Sequence, residues 1–426
     1  MSLSRFNVGD WLDSPLSRRR LDLGGTAEQR SAVQEICRRV AGEGDAALRE
    51  YSERFDGWAP AEGESFRVSA AELTKALGRL PAGDRAALEF AAQRIRDFHA
   101  AQKFEEVGGP PGLKLLTRPV RRAGVYVPGG RAAYPSTVLM AVIPARVAGV
   151  REVALATPPN RDGTVATSIL AAAAIAGADE VYRVGGAQAV AALAYGTAAI
   201  PRVDVVVGPG NIYVALAKRE VFGAVGVDAV AGPTEILVVA DHTAPAQYVA
   251  ADLASQLEHD PMAWALLVTD SEALADAVEE EFSDLLRRLD RAAVVAAAHC
   301  CIVLTESLEQ AMQVSNDFAP EHLELIVEDP GRLIAQVENA GAVFVGPYAA
   351  VSLGDYVIGP NHTLPTAGSA RFASPLGVYS FLKRTSVASL TRGDLEMLQE
   401  PARALANLEG LTAHANAIEV RMQDER

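Results

Sequence analysis

The pair Glu321-His322, in the run Phe318-Ala319-Pro320-Glu321-His322-Leu323, places a carboxylate beside an imidazole directly after a proline. In a regular strand neighbouring side chains point to opposite faces, so the two could not share one site. A turn that begins at Pro320 relaxes this alternation and lets both side chains face one cleft. We therefore expect Glu321 and His322 to supply two different bases to one reaction.

A second group of polar residues has the chemistry of a divalent-cation site. Gln256 and His259 lie three residues apart on a predicted helix, so they share a face. Asp355 lies in a segment without periodicity, which predicts a loop, and His362 and His414 follow it. Two histidines, an aspartate and a glutamine offer nitrogen and oxygen ligands that suit zinc or another divalent ion. Because these positions are scattered along the chain, their spacing alone does not distinguish a metal site from a solvated polar face at a helix end.

Two glycine-rich turns follow predicted strands. They are Gly208-Pro209-Gly210-Asn211 and Tyr126-Val127-Pro128-Gly129-Gly130. Such turns let backbone N–H groups approach a phosphate, and ligands of open α/β sheets bind at the carboxyl ends of strands. Neither turn has the GxGxxG pattern. A nucleotide site and a simple tight connection between strand and helix both fit the sequence.

The elements that must position these residues form two series. After a helical region over residues 26–105, short apolar runs alternate with helical segments, which predicts βαβ units and parallel sheets. The predicted strands are Gly124–Val127, Glu152–Ala156, Glu180–Val184, Val203–Val207, Glu235–Ala240, Ala263–Val268, Cys301–Leu304, Leu323–Val327 and Ala342–Val345. The predicted helices between them are 137–148, 165–176, 187–194, 211–222, 245–257, 271–287, 307–317 and 330–339.

This order predicts an α/β protein with two tandem Rossmann-like parallel-sheet domains, a helical N-terminal region and a small C-terminal tail domain. We expect residues 1–24 to form an N-terminal arm and residues 123–233 to form the second α/β domain. The first α/β domain combines residues 25–122 with 234–375. Residues 376–426 form the tail domain.

Composition and charge narrow the class of protein. The chain has 426 residues, 49% of them hydrophobic and 22% charged, and a formal net charge of −15. This charge argues against binding to nucleic acid or to an anionic membrane surface, since both require basic protein surface. Three cysteines without a CxxC motif do not make a disulfide framework. Arg18-Arg19-Arg20 is not followed by an apolar segment, and no run of 18 apolar residues occurs, so we expect a cytoplasmic protein.

The chain resembles the histidinol dehydrogenase family over nearly its whole length, and several runs carry this resemblance in family order and at family spacing. The runs are Gly185-Gly186-Ala187-Gln188-Ala189, Gly208-Pro209-Gly210-Asn211, Ala231-Gly232-Pro233-Thr234-Glu235, Ser255-Gln256-Leu257-Glu258-His259-Asp260, Pro320-Glu321-His322-Leu323, Gly354-Asp355-Tyr356, Gly359-Pro360-Asn361-His362 and Leu411-Thr412-Ala413-His414. Any one of them could occur by chance, but the set is specific.

The resemblance implies a four-electron oxidation of L-histidinol to L-histidine through the aldehyde, with two NAD molecules. It also implies a homodimer with one zinc per subunit and an active site completed by the partner's tail. By the same resemblance Glu321 and His322 are the acid–base pair. The implied zinc ligands, which also face substrate, are Gln256, His259, Asp355 and, from the partner, His414. Further substrate contacts are Thr234, His362 and a partner Glu409, and the NAD site is lined by Tyr126, Gln188 and Asn211.

Two departures from the family pattern are visible. Thr234 stands where the family often has Ser, which keeps the hydroxyl, and Leu257 replaces a usual Ala and should point away from the metal. A paralogous dehydrogenase that acts on another small amino or sulfonated alcohol remains an alternative, although Glu409 and His414 favour histidinol. A non-catalytic nucleotide- or metal-binding protein is a second alternative, against which the Glu321-His322 pair speaks. The sequence does not distinguish zinc from manganese.

Overall fold

The computed structural model describes residues 3–17, 25–102, 107–129, 133–230 and 232–423. Three features of the sequence therefore lie outside the described residues: the Arg18-Arg19-Arg20 run, Gly130 of the first glycine-rich turn, and Ala231. The chain divides into two compact units, which are described separately. Unit 1 comprises residues 1–103 and 120–381, and unit 2 comprises residues 104–119 and 382–426.

The strands in the described residues, in chain order, are β1 (Ser4–Asn7), β2 (Val107–Gly108), β3 (Leu113–Pro119), β4 (Arg122–Tyr126), β5 (Glu152–Thr157), β6 (Glu180–Arg183), β7 (Val205–Val207), β8 (Gly226–Val227), β9 (Glu235–Ala240), β10 (Trp264–Thr269), β11 (His299–Leu304), β12 (His322–Ile326), β13 (Ala342–Val345) and β14 (Leu382–Ala388).

The helices are α1 (Val8–Asp13), α2 (Ala27–Glu43), α3 (Asp45–Asp56), α4 (Ala70–Arg79), α5 (Ala82–Ala100), α6 (Pro135–Ala148), α7 (Thr167–Ala176), α8 (Gly186–Tyr195), α9 (Ile212–Val221), α10 (Ala246–Leu257), α11 (Glu272–Leu286), α12 (Ala292–Ala297), α13 (Leu308–Phe318), α14 (Pro330–Ile334), α15 (Val351–Tyr356), α16 (Arg392–Leu408) and α17 (Thr412–Met422).

The first sheet of unit 1 has five parallel strands in the order β6-β5-β4-β7-β8. Its central strands β4 and β7 are buried throughout, as apolar runs between two helical layers require. One face packs on α2, α3, α8 and α9, and the other packs on α5, α6 and α7. This is the α/β layering that the alternation of strands and helices predicted.

The second sheet of unit 1 has six parallel strands in the order β1-β11-β10-β9-β12-β13. Ile236 and Val238 of β9 face α10 and α11, whereas Leu237 and Val239 face α13 on the other side. Strand β9 lies between β10 and β12, and its second residue, Ile236, is level with His322 at the start of β12. Two parallel sheets with helices on both faces confirm the predicted fold class.

Unit 2 is built from a small antiparallel sheet and two helices. The sheet has the order β14-β3-β2, and β14 pairs with β3 from Leu382 opposite Pro119 to Ala388 opposite Leu113. Helix α16 begins at a capping box in which Thr391 and Asp394 each accept a backbone N–H of the other. Helix α17 packs against α16. Neither helix was predicted, and β3 and β14 were also missed, because half-exposed elements show little apolar periodicity.

The N-terminal helices differ from the expected grouping. Helices α2 and α3 pack on α8 and α9, and α4 and α5 pack on α7 and α6. The apolar face of α2 (Val33, Ile36 and Val40) therefore covers the five-stranded sheet, whereas the sequence analysis grouped residues 25–122 with residues 234–375. The domain limits themselves stay a prediction. In the described part of the chain, no helix combines the length and the apolar character that crossing a membrane requires.

Candidate active site

Glu321 and His322 lie at the N-terminal end of β12. Helix α13 ends at Phe318, Ala319 adopts a left-handed conformation with φ 50°, and His322 is the first residue of the strand. Both side chains are buried, with exposed fractions of 7% and 3%. His322 Nδ1 and Glu321 Oε2 are 3.6 Å apart. The turn thus brings the two side chains together, as the Pro-led run predicted, because Glu321 precedes the alternation of the strand.

The backbone of Glu235 holds both side chains. Its N–H donates to Glu321 Oε2 at 2.9 Å, and its carbonyl accepts from His322 Nδ1 at 2.9 Å. Since a carbonyl only accepts, the neutral His322 ring carries its proton on Nδ1 and its lone pair on Nε2. Burial lowers the pKa of His322, although the charge of Asp355 and the bond to Glu235 oppose this. His322 is therefore a neutral imidazole with a basic Nε2.

Thr234 connects Glu321 to Gln256. Its hydroxyl oxygen lies 2.7 Å from Glu321 Oε2 and 2.9 Å from Gln256 Oε1. A hydroxyl has one proton and cannot donate to both oxygens. Rotating the Gln256 amide by half a turn removes the conflict, since its nitrogen would then donate to Thr234 while Thr234 donates to Glu321. The buried Gln256 Nε2, which has no hydrogen-bond partner otherwise, would gain one.

The expected metal ligands of unit 1 come from two helix ends. Gln256 is 1% exposed near the end of α10. That helix ends at Leu257, so the prediction that His259 lies on the same helix as Gln256 is wrong. His259 lies in the following turn, where its N–H donates to Gln256 O at 3.3 Å. Asp355 was predicted in a loop, but it lies in the short helix α15, whose six residues are too few to show periodicity.

The electrostatics of Asp355 bring these residues into one cluster. Burial raises the pKa of its carboxyl, whereas protonation of His322 or His259 and a hydrogen bond from the Gln256 amide lower it. All three side chains therefore lie in the surroundings of the carboxylate. Leu257, in contrast, is fully buried in the core that packs α10 on the sheet, so it points away from the cluster, as expected.

The donor set fits a zinc ion in its chemistry. Within the described ranges, no three His, Cys, Asp or Glu side chains form a metal site. The expected set contains only His259 and Asp355 of these types in unit 1, together with the Gln256 amide and a histidine of a second subunit. The amide rotation that satisfies Thr234 also turns Gln256 Oε1, the oxygen that can ligate a cation, toward Asp355.

His362 is held by two partners within unit 1. Its Nδ1 donates to Asp355 O at 2.8 Å, so its Nε2 accepts from Thr137 Oγ1 at 3.2 Å. Burial lowers the pKa of His362 to about 4, because the loss of hydration outweighs the bond to Asp355 O. This histidine is neutral at physiological pH. Thr137 was missed by the sequence analysis, because a lone Thr within an apolar helix has no distinguishing signal.

Glu409 and His414 belong to unit 2, where both are exposed. They line a cavity of about 690 Å³ between α16 and α17, whose other walls are largely apolar. The apolar lining includes Leu405, Leu411 and Ile418. An open apolar cavity that contains two polar side chains is a surface on which another protein chain can dock.

The expected cofactor residues of the five-stranded sheet are mostly engaged within the protein. Tyr126 and Gln188 are 3% and 1% exposed. The Tyr126 hydroxyl accepts from Gly186 N at 3.1 Å, and Gln188 Nε2 donates to Asp56 Oδ2 at 3.2 Å. Gly185 N donates to the same Asp56 oxygen at 3.0 Å, and burial raises the pKa of Asp56 to about 6. Asp56, which the sequence analysis missed, thus covers the start of α8.

The second glycine-rich turn is fixed by a buried ion pair. Lys218 and Asp228 form a salt bridge, Lys218 Nζ donates to Gly208 O at 3.0 Å, and Gly208 N donates to Asp228 Oδ2 at 2.8 Å. Gly208 has φ 112°, and a Cβ atom there would lie 2.1 Å from Tyr126 O. Glycine is therefore required where the two turns meet. Asn211 is exposed and caps α9 by accepting from the N–H groups of Tyr213 and Val214.

Comparison with known proteins supports one family. The family model for histidinol dehydrogenase matches residues 20–422. The chain belongs to the histidinol dehydrogenase family. The histidinol dehydrogenase of Synechococcus sp. is 50% identical over 401 residues, which cover 92% of each chain. That of Aquifex aeolicus is 50% identical over 406 residues, or 93% of each chain.

A solved histidinol dehydrogenase has the same fold. The crystal structure of the enzyme from Elizabethkingia anophelis superimposes with a TM-score of 0.92 at 33% identity, covering 99% of this chain and 98% of the other. The predicted family and the predicted class of enzyme, an NAD-dependent histidinol dehydrogenase, are confirmed by these matches. The roles of single residues within this family member stay predictions.

Proposed function

We propose that this protein catalyses the zinc-dependent, four-electron oxidation of L-histidinol to L-histidine through the aldehyde, with two NAD molecules. The observation that carries the proposal is the clamp formed by the Glu235 backbone. It holds a carboxylate and an imidazole of fixed tautomer beside the Gln256, His259 and Asp355 cluster. Two successive oxidations at one carbon require two bases, and here both lie next to nitrogen and oxygen ligands.

His322 is proposed to accept the hydroxyl proton in the first oxidation. Its Nδ1 is committed to Glu235 O, so Nε2 is the basic nitrogen, and burial keeps the ring neutral before the reaction. A neutral imidazole is the form that can act as a general base. Because the backbone bond fixes the ring plane, Nε2 stays in one position when the proton arrives.

Glu321 is proposed to activate the water that hydrates the aldehyde. Its Oε2 accepts from Glu235 N and Thr234 Oγ1, which orients the carboxylate. After it has released the first proton to solvent, His322 would receive a hydroxyl proton again in the second oxidation, this time from the hydrate. Each base is held by a different backbone atom of Glu235, so the carboxylate and the imidazole keep separate positions in the site.

Gln256, His259 and Asp355 would hold the zinc together with His414 of a second subunit. When bound, the ion supplies a template that orients the imidazole and amine nitrogens of the substrate and stabilises negative charge on its oxygen. Thr234, His362 and a second subunit's Glu409 would contact the substrate. Metal analysis of the purified protein would distinguish zinc from manganese.

NAD would bind at the carboxyl edge of the five-stranded sheet, near Tyr126, Gln188 and Asn211, and it supplies the acceptor for hydride. The structure limits how these residues can act. Tyr126 and Gln188 use their polar atoms inside the protein, so they would shape the site, whereas the exposed Asn211 can contact the cofactor directly.

A homodimer with shared active sites is proposed from the exposed side chains of unit 2. Leu405 and Leu411, which line the cavity that contains Glu409 and His414, are 61% and 41% exposed, and Leu408 of α16 is 84% exposed. Apolar side chains at this density favour burial against another chain. The acidic net charge makes nucleic acid an unsuitable partner, and a cytoplasmic location stays part of the proposal.

The first experiment measures NADH formed from a limiting amount of L-histidinol at alkaline pH, before and after chelation and zinc add-back. Two NADH per histidinol, lost on chelation and restored by zinc, are expected. No turnover by the zinc-loaded protein would contradict the proposal and direct the search to other small amino or sulfonated alcohols.

A second experiment tests the shared site. A His322→Asn subunit and a His414→Ala subunit, carrying different affinity tags, are co-expressed and the heterodimer is purified. One intact site per heterodimer predicts recovery of activity toward half that of the wild type, whereas each homodimeric variant stays inactive. A purified heterodimer as inactive as its parents would contradict a site completed by the partner.

A further inference from the structure

A buried pair of carboxyl groups, Asp252 and Glu324, has no role in the reaction described above. Asp252 is 8% exposed on α10 and Glu324 is 1% exposed on β12. Two acids are expensive to bury, so their presence between a helix and a sheet requires an explanation. Within the described chain, no N–H or hydroxyl donor reaches Glu324 Oε2.

The position of Glu324 follows from the alternation of the strand. His322 and Glu324 are two residues apart in β12, so their side chains lie on the same face of the sheet. The neighbour of Glu324 on β9 is Val238. Val238 packs in the core formed with α10, so this face of β12 is turned toward that helix.

The position of Asp252 follows from the turn of the helix. Asp252 and Gln256 are four residues apart in α10, so they lie one turn apart on one side of the helix. The carboxyls of Asp252 and Glu324 are hydrogen-bonded to each other. The bond therefore joins the helix that carries Gln256 to the strand that carries His322. It lies one helical turn before Gln256 in α10 and two residues after His322 in β12.

Two carboxyls that are hydrogen-bonded to each other share one proton, because both cannot be ionised at hydrogen-bonding distance. Burial raises the pKa of both groups, and the charge of Asp252 helps to raise that of Glu324 to about 9. At neutral pH, the pair therefore retains one proton. A hydrogen bond from a carboxylic acid to a carboxylate is shorter and stronger than one between neutral groups.

We propose that the hydrogen bond between Asp252 and Glu324 forms a brace that sets the distance between α10 and β12 and thereby positions Gln256 for the metal relative to His322. The inference rests on the proposed function in one respect, since it takes Gln256 as a metal ligand. Both members are positioning residues: neither touches the substrate, the cofactor or the metal.

Three full-length variants separate this role from general packing. Glu324→Gln keeps the length of the side chain and the donated hydrogen bond but removes the acid. Glu324→Asp keeps the acid but shortens the side chain by one methylene. Ile326→Val, which removes one methylene two residues away on the same face of β12, is the matched control for lost volume.

Zinc affinity is measured by competition with a chromogenic chelator, and amide hydrogen exchange is followed in α10 and β12 of the metal-free protein. The brace predicts a zinc dissociation constant raised about 10-fold or more in Glu324→Asp. It also predicts faster exchange of the α10 amides in that variant alone. Glu324→Gln and Ile326→Val should both stay close to the wild type.

Two results would overturn the brace. One is equal loss of zinc affinity in Glu324→Gln and Glu324→Asp, which would mean that any change at Glu324 lowers the affinity, whether or not the length of the side chain is kept. The other is a Glu324→Asp variant that matches Ile326→Val in both measurements. Failure of the proposed function is recognised separately, by a wild type that neither binds zinc nor oxidises L-histidinol, and hydrogen exchange in α10 still decides whether the brace exists.

Discussion

The carbonyl oxygen of Glu235 lies 2.9 Å from Nδ1 of His322, and this contact sets which nitrogen of the imidazole is basic. The N–H of the same residue binds Glu321, so one peptide segment at the start of β9 orients both proposed bases. Both bonds are made by backbone atoms, so the side chain at position 235 does not supply them. Their persistence depends on the pairing of β9 with β12, which belongs to the core of the sheet.

Replacing each base is expected to affect the two oxidations differently. His322→Asn removes the basic nitrogen while its amide can still donate to Glu235 O, so both alcohol and aldehyde oxidation should slow by about 10²–10⁴-fold. Glu321→Gln should slow aldehyde oxidation by a similar factor and alcohol oxidation far less. Steady-state rates with L-histidinol and with L-histidinal measure the two steps. Equal losses in both steps for Glu321→Gln would contradict the division of labour.

The hydroxyl of Thr234 is expected to matter more than its methyl group. Thr234→Val keeps the shape but leaves Glu321 and Gln256 without their shared partner, at a cost of about 1–3 kcal/mol for the groups left unsatisfied. Both kcat/KM for L-histidinol and zinc affinity should fall. Thr234→Ser keeps the hydroxyl and is the control, which should retain both. A Thr234→Val variant that behaves like Thr234→Ser would show that the hydroxyl positions neither group.

The buried acid pair predicts a pH dependence of stability. The pKa of Glu324 is about 9 in the folded protein and 4.5 ordinarily, so unfolding releases a proton between these pH values. The stabilisation from protonated Glu324 is complete below pH 4.5 and is lost as the pH rises toward 9. Glu324→Gln lacks this loss, so its free energy of unfolding relative to the wild type should increase from pH 5 to 9.

Urea unfolding of the metal-free wild type and Glu324→Gln at pH 5, 7 and 9 measures this difference. Titrating groups that do not interact with Glu324 contribute equally to the two proteins and cancel, so the comparison reports the titration of the Asp252–Glu324 pair. A constant difference across the three pH values would show that Glu324 is ionised in the folded protein at neutral pH.

The ion pair under the second glycine-rich turn predicts a coupled effect. Lys218→Met leaves Asp228 buried without its counter-charge and should lower the free energy of unfolding by about 3–5 kcal/mol. The variant should also raise the KM for NAD, because Lys218 fixes Gly208 O beside Asn211. The double variant Lys218→Met/Asp228→Asn should recover part of the stability. Additive losses in thermal or urea unfolding would mean that the two residues do not act as a pair.

Much of the architecture follows from local patterns in the sequence. The bounds of β9 and β13 match the predicted Glu235–Ala240 and Ala342–Val345, because short apolar runs between turns have few other conformations available. The motif runs also identified the family, which the matches to known proteins confirm. These features depend on residue types and spacing alone, so no long-range contact is needed to see them.

The working arrangement of the site was decided by the tertiary structure. The sequence placed His259 on a helix that ends two residues earlier, and it could not show that the Glu235 backbone binds Glu321 and His322. Asp252 and Glu324 are 72 positions apart in sequence, and only the packing of α10 on the sheet that contains β12 brings their carboxyls together. Backbone hydrogen bonds and shared protons depend on distances between remote segments, and a sequence pattern records only the order of residues along the chain.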